Sequence, residues 1–150
     1  MKGSMMLLFI LALVLSACTK VSESVDFTKW SDEEVYAFFN GVYEDIRQLP
    51  VEAESLDVIR GNYETYFSTE LTKKIIDSLY TKTDNGWKIP DGDAGYMFSV
   101  PGSSQDGKVV IEYSKAFIQV TETFEDGMYN KVQYKIEYRN KPVITAWIIE

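Results

Sequence analysis

The stretch MYNKVQYKIEYRNKPVITAWII, residues 128–149, decides the fold class of this chain. Apolar and polar residues alternate along Met128–Tyr138, and a period of two predicts a strand with one buried and one wet face. The residues expected on the buried face are Val132, Tyr134, Ile136 and Tyr138. Arg139–Pro142 contains turn-forming residues. Val143–Ile149 is apolar on both faces, which predicts a strand that is central or covered on both sides.

Further extended segments precede this pair of strands, beginning near Thr81. Turn residues separate them, among them Asp84–Gly86 and the hairpin sequence Glu125–Gly127. The predicted strands are Trp87–Ile89, Tyr96–Val100, Val109–Tyr113 and Ala116–Phe124. Together with the final pair, they predict a long antiparallel meander.

Three helical patterns come before the strands. Ser31 and Glu34 form a capping box, apolar residues then recur at helical spacing, and Pro50 ends the run. Ser68 is placed to cap the third pattern. The predicted helices span residues 31–48, 54–67 and 69–80. Helices followed by a meander predict an α+β fold, with about three helices packed on one face of a curved antiparallel sheet.

The N-terminal residues have the pattern of a secretory signal, with Lys2 followed by an apolar run over Met5–Leu15. That run is short for a bilayer span, which needs about 20 residues. The tetrad Leu15–Cys18 resembles the lipobox of bacterial lipoproteins. The resemblance implies cleavage between Ala17 and Cys18 and a diacylglycerol on the Cys18 sulfur. The alternatives are an uncleaved membrane anchor and a soluble protein with an apolar N-terminus.

This reading divides the chain into three parts: a signal peptide over 1–17, a lipidated cysteine and tether over 18–30, and a single α+β domain over 31–150. Phe27 and Trp30 are apolar exceptions in the tether and are expected to pack on the domain. The expected location is the bacterial cell envelope outside the cytoplasm, at the cell membrane or the outer membrane, through the lipid anchor.

The composition excludes several function classes. The formal net charge of −8 disfavours nucleic acid and anionic headgroups as partners. Cys18 is the single cysteine, so no intrachain disulfide can form. The chain has no histidine, which removes the usual general base and the commonest metal ligand. We therefore expect neither a cofactor nor a metal.

The order of elements over 31–150 resembles that of the NTF2-like (cystatin-like cone) superfamily, as does the final Trp147–Ile149. The resemblance implies a cavity between helices and curved sheet, lined by inward residues of the last two strands. The many aromatic residues either fill a core or line a pocket for a small apolar ligand. The candidate lining residues are Phe39, Tyr63, Phe67, Tyr134, Tyr138 and Trp147.

Some NTF2-like enzymes pair a tyrosine with a carboxylic acid whose pKa is raised by apolar surroundings. Glu122 is the candidate acid here, because it shares a strand face with Ile118 and Val120. An exposed position at the end of a hairpin is the simpler explanation for Glu122.

A second resemblance is to secreted inhibitors of cell-wall DL-endopeptidases. It depends on Tyr66–Ser68, on Gly86–Lys88 and on Asp91–Gly95. Asp91–Gly95 is also the nearest approach to a calcium loop, but Gly102 stands where the twelfth-position glutamate belongs. A plain turn explains that segment better.

These patterns predict a non-catalytic binding module for a cell-envelope protein or a small apolar ligand. The alternatives are an inhibitor of a peptidoglycan hydrolase and a small NTF2-like enzyme that uses tyrosine and carboxylate chemistry. A filled core with an exposed aromatic patch would favour a protein partner. An enclosed cavity with a buried carboxylate beside a tyrosine would favour catalysis.

Overall fold

The computed structural model describes residues 25–90, 98–125 and 129–150. The predicted signal peptide, Cys18 and the Asp91–Gly95 segment lie outside these ranges. The elements, in chain order, are a 3₁₀ turn at Phe27–Lys29, α1 at Asp32–Ile46, β1 at Glu52–Ala53, α2 at Leu56–Tyr63, α3 at Thr69–Leu79, β2 at Thr81–Thr83, β3 at Gly86–Lys88, β4 at Gly107–Tyr113, β5 at Phe117–Phe124, β6 at Lys131–Tyr138 and β7 at Pro142–Ile149.

The strands form two antiparallel sheets, and the α+β fold is confirmed. The larger sheet has the order β4-β5-β6-β7, and the helices pack on its inner face. The smaller sheet has the order β1-β3-β2. The single meander expected from Thr81 onward is therefore divided. β3 pairs back to β1, a two-residue strand between α1 and α2 that no sequence pattern predicts.

The predicted facing of β6 is confirmed. Val132, Tyr134 and Ile136 are buried, and Tyr138 is half-buried near the hairpin. Their neighbours on the opposite face are also half-buried rather than fully exposed. Ile136 lies between Ile118 of β5 and Ile144 of β7 in the sheet register, so three buried isoleucines form one row across the inner face.

The prediction that the last strand is central or covered on both sides is wrong. β7 is an edge strand of the larger sheet, and Ile148 is 48% exposed. The segment before α3 covers part of its free edge: Ile144 N–H donates to Tyr66 O at 2.7 Å, and Ser68 N–H donates to Ile144 O at 2.9 Å. A short bridge therefore replaces the full strand that the apolar pattern suggested.

A bulge in β7 explains its unusual pattern. Ala146 pairs with Lys135 whereas Ile144 pairs with Ile136, so Thr145 is the extra residue. The bulge brings both Ile144 and Trp147 to the core side although three positions separate them in sequence. Trp147 stacks on Tyr134 there, with ring centroids 6.2 Å apart.

The helices begin within two residues of their predicted starts and end earlier than predicted. The capping box of α1 is present: Glu34 N–H donates to Ser31 Oγ at 3.3 Å, and Ser31 N–H donates to Glu34 Oε2 at 2.8 Å. Ser68 caps α3 through Leu71 N–H at 3.2 Å. However, α2 ends at Tyr63 rather than at residue 67, because Tyr66–Ser68 leaves the helix to bridge β7.

The predicted strand at Tyr96–Val100 is wrong for its described part, since residues 98–100 form no strand. Phe98 is 4% exposed and packs against the rings of Phe39, Phe67, Tyr134 and Trp147 at centroid distances of 5.6–6.1 Å. This irregular segment fills the space between the helices and the sheet.

Phe27 and Trp30 pack on the domain as expected. Phe27 is fully buried, and its ring contacts Trp30 at a centroid distance of 5.3 Å. Among the helices of the described ranges, none is long and apolar enough to cross a membrane.

Candidate functional site

An apolar cavity of about 310 Å³ is lined by α3 on one side and by β7 on another. The amphipathic pattern of α3 places Leu71 and Ile75 toward the core, where they form part of the wall. The apolar lining includes Tyr63, Phe67, Leu71, Ile75, Phe98 and Trp147. A volume of this size is at the lower end of the range for small-molecule sites, roughly 300–1,000 Å³.

The structure brings three of the predicted pocket residues together at this cavity: Tyr63, Phe67 and Trp147. Phe39 and Tyr134 lie deeper, with their ring centroids 5.0 Å apart, and the ring of Phe98 packs on both. Tyr138 is half-buried at the β6–β7 hairpin and is not part of the lining. The inner aromatic residues therefore form a packed core, and the cavity lies beside it.

Few polar groups line the cavity. Lys74 and Ser78 stand on α3 and are exposed, and the Ser78 hydroxyl donates to Ile75 O at 2.9 Å. Trp147 contributes its indole ring, and its Nε1 is buried with no hydrogen-bond partner among the described residues. A buried donor without a partner is unfavourable, typically by about 1–3 kcal/mol.

Glu122 is buried, and the expectation of an exposed hairpin end is wrong. Its side chain is 1% exposed, and its Oε1 accepts a hydrogen bond from Gly102 N–H at 3.0 Å. The irregular segment ending at Gly102 covers it, which no local pattern around residue 122 indicates. Burial raises the pKa of the Glu122 carboxyl, while the Gly102 hydrogen bond opposes that rise.

Glycine occupies both backbone positions beside this carboxylate, and Gly107 leaves the space for it. A Cβ on Gly107 would lie 2.2 Å from Glu122 Oε1, so any other residue there would displace the side chain. Gly102 has φ +78°, a left-handed conformation that favours glycine.

Tyr134 shares the inner face with Glu122 and contacts the same segment. Its hydroxyl donates to Ser99 O at 3.1 Å, and burial raises its pKa to about 12. Glu122 and Tyr134 therefore both bind the backbone of residues 99–102, and neither lines the apolar cavity. Both side chains therefore hold this segment against the sheet, and they do not form an open acid–base site.

We predict that Glu122→Gln makes the domain more stable at pH 7. Burial raises the folded-state pKa of Glu122 above its usual 4.5, so the neutral carboxyl favours the folded state at low pH. This stabilisation is lost as pH rises through the raised pKa, because the ionised carboxylate opposes folding. Glutamine can still accept the Gly102 hydrogen bond without charge. Thermal unfolding at pH 4 and pH 7 checks the prediction, and the gain should be larger at pH 7.

The exposed Glu112 on β4 provides the matched control for that experiment. Glu112→Gln should change stability by no more than about 0.5 kcal/mol at either pH. A Glu122→Gln variant that is less stable than the unmodified protein at pH 7 would contradict the prediction.

The two described motifs of the hydrolase-inhibitor resemblance have roles in the fold. Tyr66–Ser68 bridges β7 and caps α3. Gly86–Lys88 is the middle strand of the smaller sheet, where a Cβ on Gly86 would lie 2.4 Å from Ala53 O. The ranges 25–90, 98–125 and 129–150 contain no group of three or more side chains suited to hold a metal.

No family model, curated protein or solved structure matches this chain. The chemistry of the site itself is therefore the basis for inferring a function.

Proposed function

We propose that this protein is a lipid-anchored extracytoplasmic binding module that holds a small apolar ligand in the cavity between α3 and β7. The cavity carries this proposal: its walls are mainly aliphatic and aromatic, it is open to solvent, and it lies beside a core that is already filled. Apolar walls with a few placed polar groups are typical of small-molecule sites. Lys74 and Ser78 of α3 supply two such groups in the cavity lining.

The exposed surface supports a small ligand over an envelope protein as partner. The large hydrophobic side chains that the described residues expose are aliphatic, not aromatic. Val110 and Ile148 lie at opposite edges of the outer sheet face, in a row with Thr121 and Gln133 between them. Polar residues thus interrupt this face, whereas protein-binding patches are contiguous and apolar.

Anchorage through lipid agrees with the charge of the chain. A net charge of −8 opposes docking onto anionic headgroups, so membrane attachment needs another source of free energy. Acyl chains supply about 0.8 kcal/mol for each buried CH₂, and two or more chains anchor a protein stably. The tetrad Leu15–Cys18 is the feature that supports such chains here.

A photoreactive decanol tests the cavity directly. The lipidated protein in phosphatidylcholine vesicles should crosslink to this uncharged probe at cavity residues, mapped by mass spectrometry, and unlabelled decanol should compete. Ser78→Phe places a ring at the cavity wall and should weaken binding about tenfold, equivalent to about 1.4 kcal/mol.

Asp77→Phe is the matched control, since Asp77 is the adjacent exposed position of α3 and is not part of the lining. It should leave the competition curve unchanged. Crosslinks spread over the surface, or a Ser78→Phe variant that binds as well as the unmodified protein, would refute the proposed site.

A further inference from the structure

We infer that the ligand of this cavity is an anionic single-chain amphiphile, whose alkyl chain lies among the apolar walls and whose head group meets Lys74. This inference rests on the proposed function and adds the chemistry of the ligand. The charge pattern of α3 supports it.

Lys74 is the cation of α3 for which the described part of the chain supplies no acidic partner. The acids nearest to it along the helix have other partners: Asp77 pairs with Lys73 at 2.5 Å, and Glu70 pairs with Arg139 at 3.5 Å. Among the described residues, Lys74 forms no ion pair. It is also the one charged side chain in the cavity lining within those ranges.

The acids next to other lining residues also have partners of their own. Glu150 follows the lining residue Ile149, and Lys131 neutralises it at 2.6 Å. Asp45 precedes the lining residue Ile46, and it accepts the hydroxyl of Tyr66 at 2.5 Å. In a chain of net charge −8, an unpaired lysine beside an apolar cavity is complementary to an anion attached to an apolar body.

The size of the cavity agrees with an alkyl chain. An apolar cavity of about 150 Å³ takes benzene, and this one holds about 310 Å³. Each CH₂ that enters should strengthen binding about fourfold, until the chain exceeds the cavity. The affinity of the cavity for fatty acids should therefore increase with chain length and then level off.

Competition against the photoreactive decanol tests the head group. Decanoate, decyl phosphate and decanol each compete for crosslinking to the lipidated protein in phosphatidylcholine vesicles, and each midpoint is compared between variant and unmodified protein. This ratio cancels differences in partitioning into the vesicle. Lys74→Gln should weaken one or both anionic competitors about fivefold and leave decanol unchanged.

Lys108→Gln is the control, because it removes the same charge from an exposed lysine of β4 that lies outside the lining and forms no ion pair among the described residues. It should leave every midpoint within about twofold of the unmodified protein. A larger Lys74 effect on decanoate identifies a carboxylate head, and a larger effect on decyl phosphate identifies a phosphate head.

Two failures are distinguishable. If decanol competes normally but Lys74→Gln changes no anionic midpoint, or Lys108→Gln changes them equally, the anionic head group is refuted while the apolar site stands. If the probe does not crosslink at the cavity at all, the proposed function fails and this inference fails with it.

Discussion

Ile136→Asp is expected to destabilise the domain by about 4 kcal/mol or more. Ile136 is fully buried in the middle of β6, between Ile118 and Ile144 of the neighbouring strands. An aspartate there would lie between two buried isoleucines and away from solvent. Burial of an unpaired charge is among the few single changes with effects of this size.

Thermal and urea unfolding followed by circular dichroism measure this effect. Val110→Asp is the matched control, because it makes a comparable aliphatic-to-acid change on β4, where the side chain is 49% exposed. That variant should lose no more than about 1 kcal/mol. Equal losses in the two variants would mean that the inner face of the sheet is not the one described.

Cys18→Ala is expected to abolish lipidation completely. The alanine has no sulfur to carry the diacylglycerol, so the variant should either leave the membrane fraction or accumulate with an unprocessed N-terminus. The sulfur-linked acyl chains are the main source of membrane affinity in this proposal. Membrane fractionation and intact-mass spectrometry of protein from its natural host measure both outcomes.

Thr19→Ala is the control for that experiment, because it alters the neighbouring position and keeps the sulfur. It should retain both the acylated mass and the membrane partition. If Cys18→Ala shows unchanged membrane partition with a normal mature mass, the proposed lipid anchor is wrong.

Local patterns in this sequence predicted local structure well. The capping box at Ser31 and Glu34 located the start of α1, because its hydrogen bonds form between residues three positions apart. The alternation over 131–138 predicted both the strand and its buried face, because side chains of a strand alternate between faces. These features depend only on near neighbours in the chain.

Predictions failed where distant segments decide the outcome. Residues 64–67 continue a helical pattern, yet pairing of Tyr66–Ser68 with β7 takes them out of α2. The apolar composition of β7 suggested a central strand. β7 is instead an edge strand whose apolar residues are partly buried by a bulge and by a bridge at its free edge. Aromatic content alone did not distinguish Phe39, packed in the core, from Trp147 at the cavity.

By itself, the sequence determined the α+β class, the main helices and strands and the facing of β6, because hydrogen bonding and side-chain periodicity are set over a few residues. Only the tertiary structure decided the burial of Glu122, the position of the cavity and the isolation of Lys74. Each of these depends on segments far apart in sequence. Residues 98–102 cover β5, β7 lines the cavity together with α3, and Arg139 forms the ion pair with Glu70. Such contacts are set by how the elements pack together.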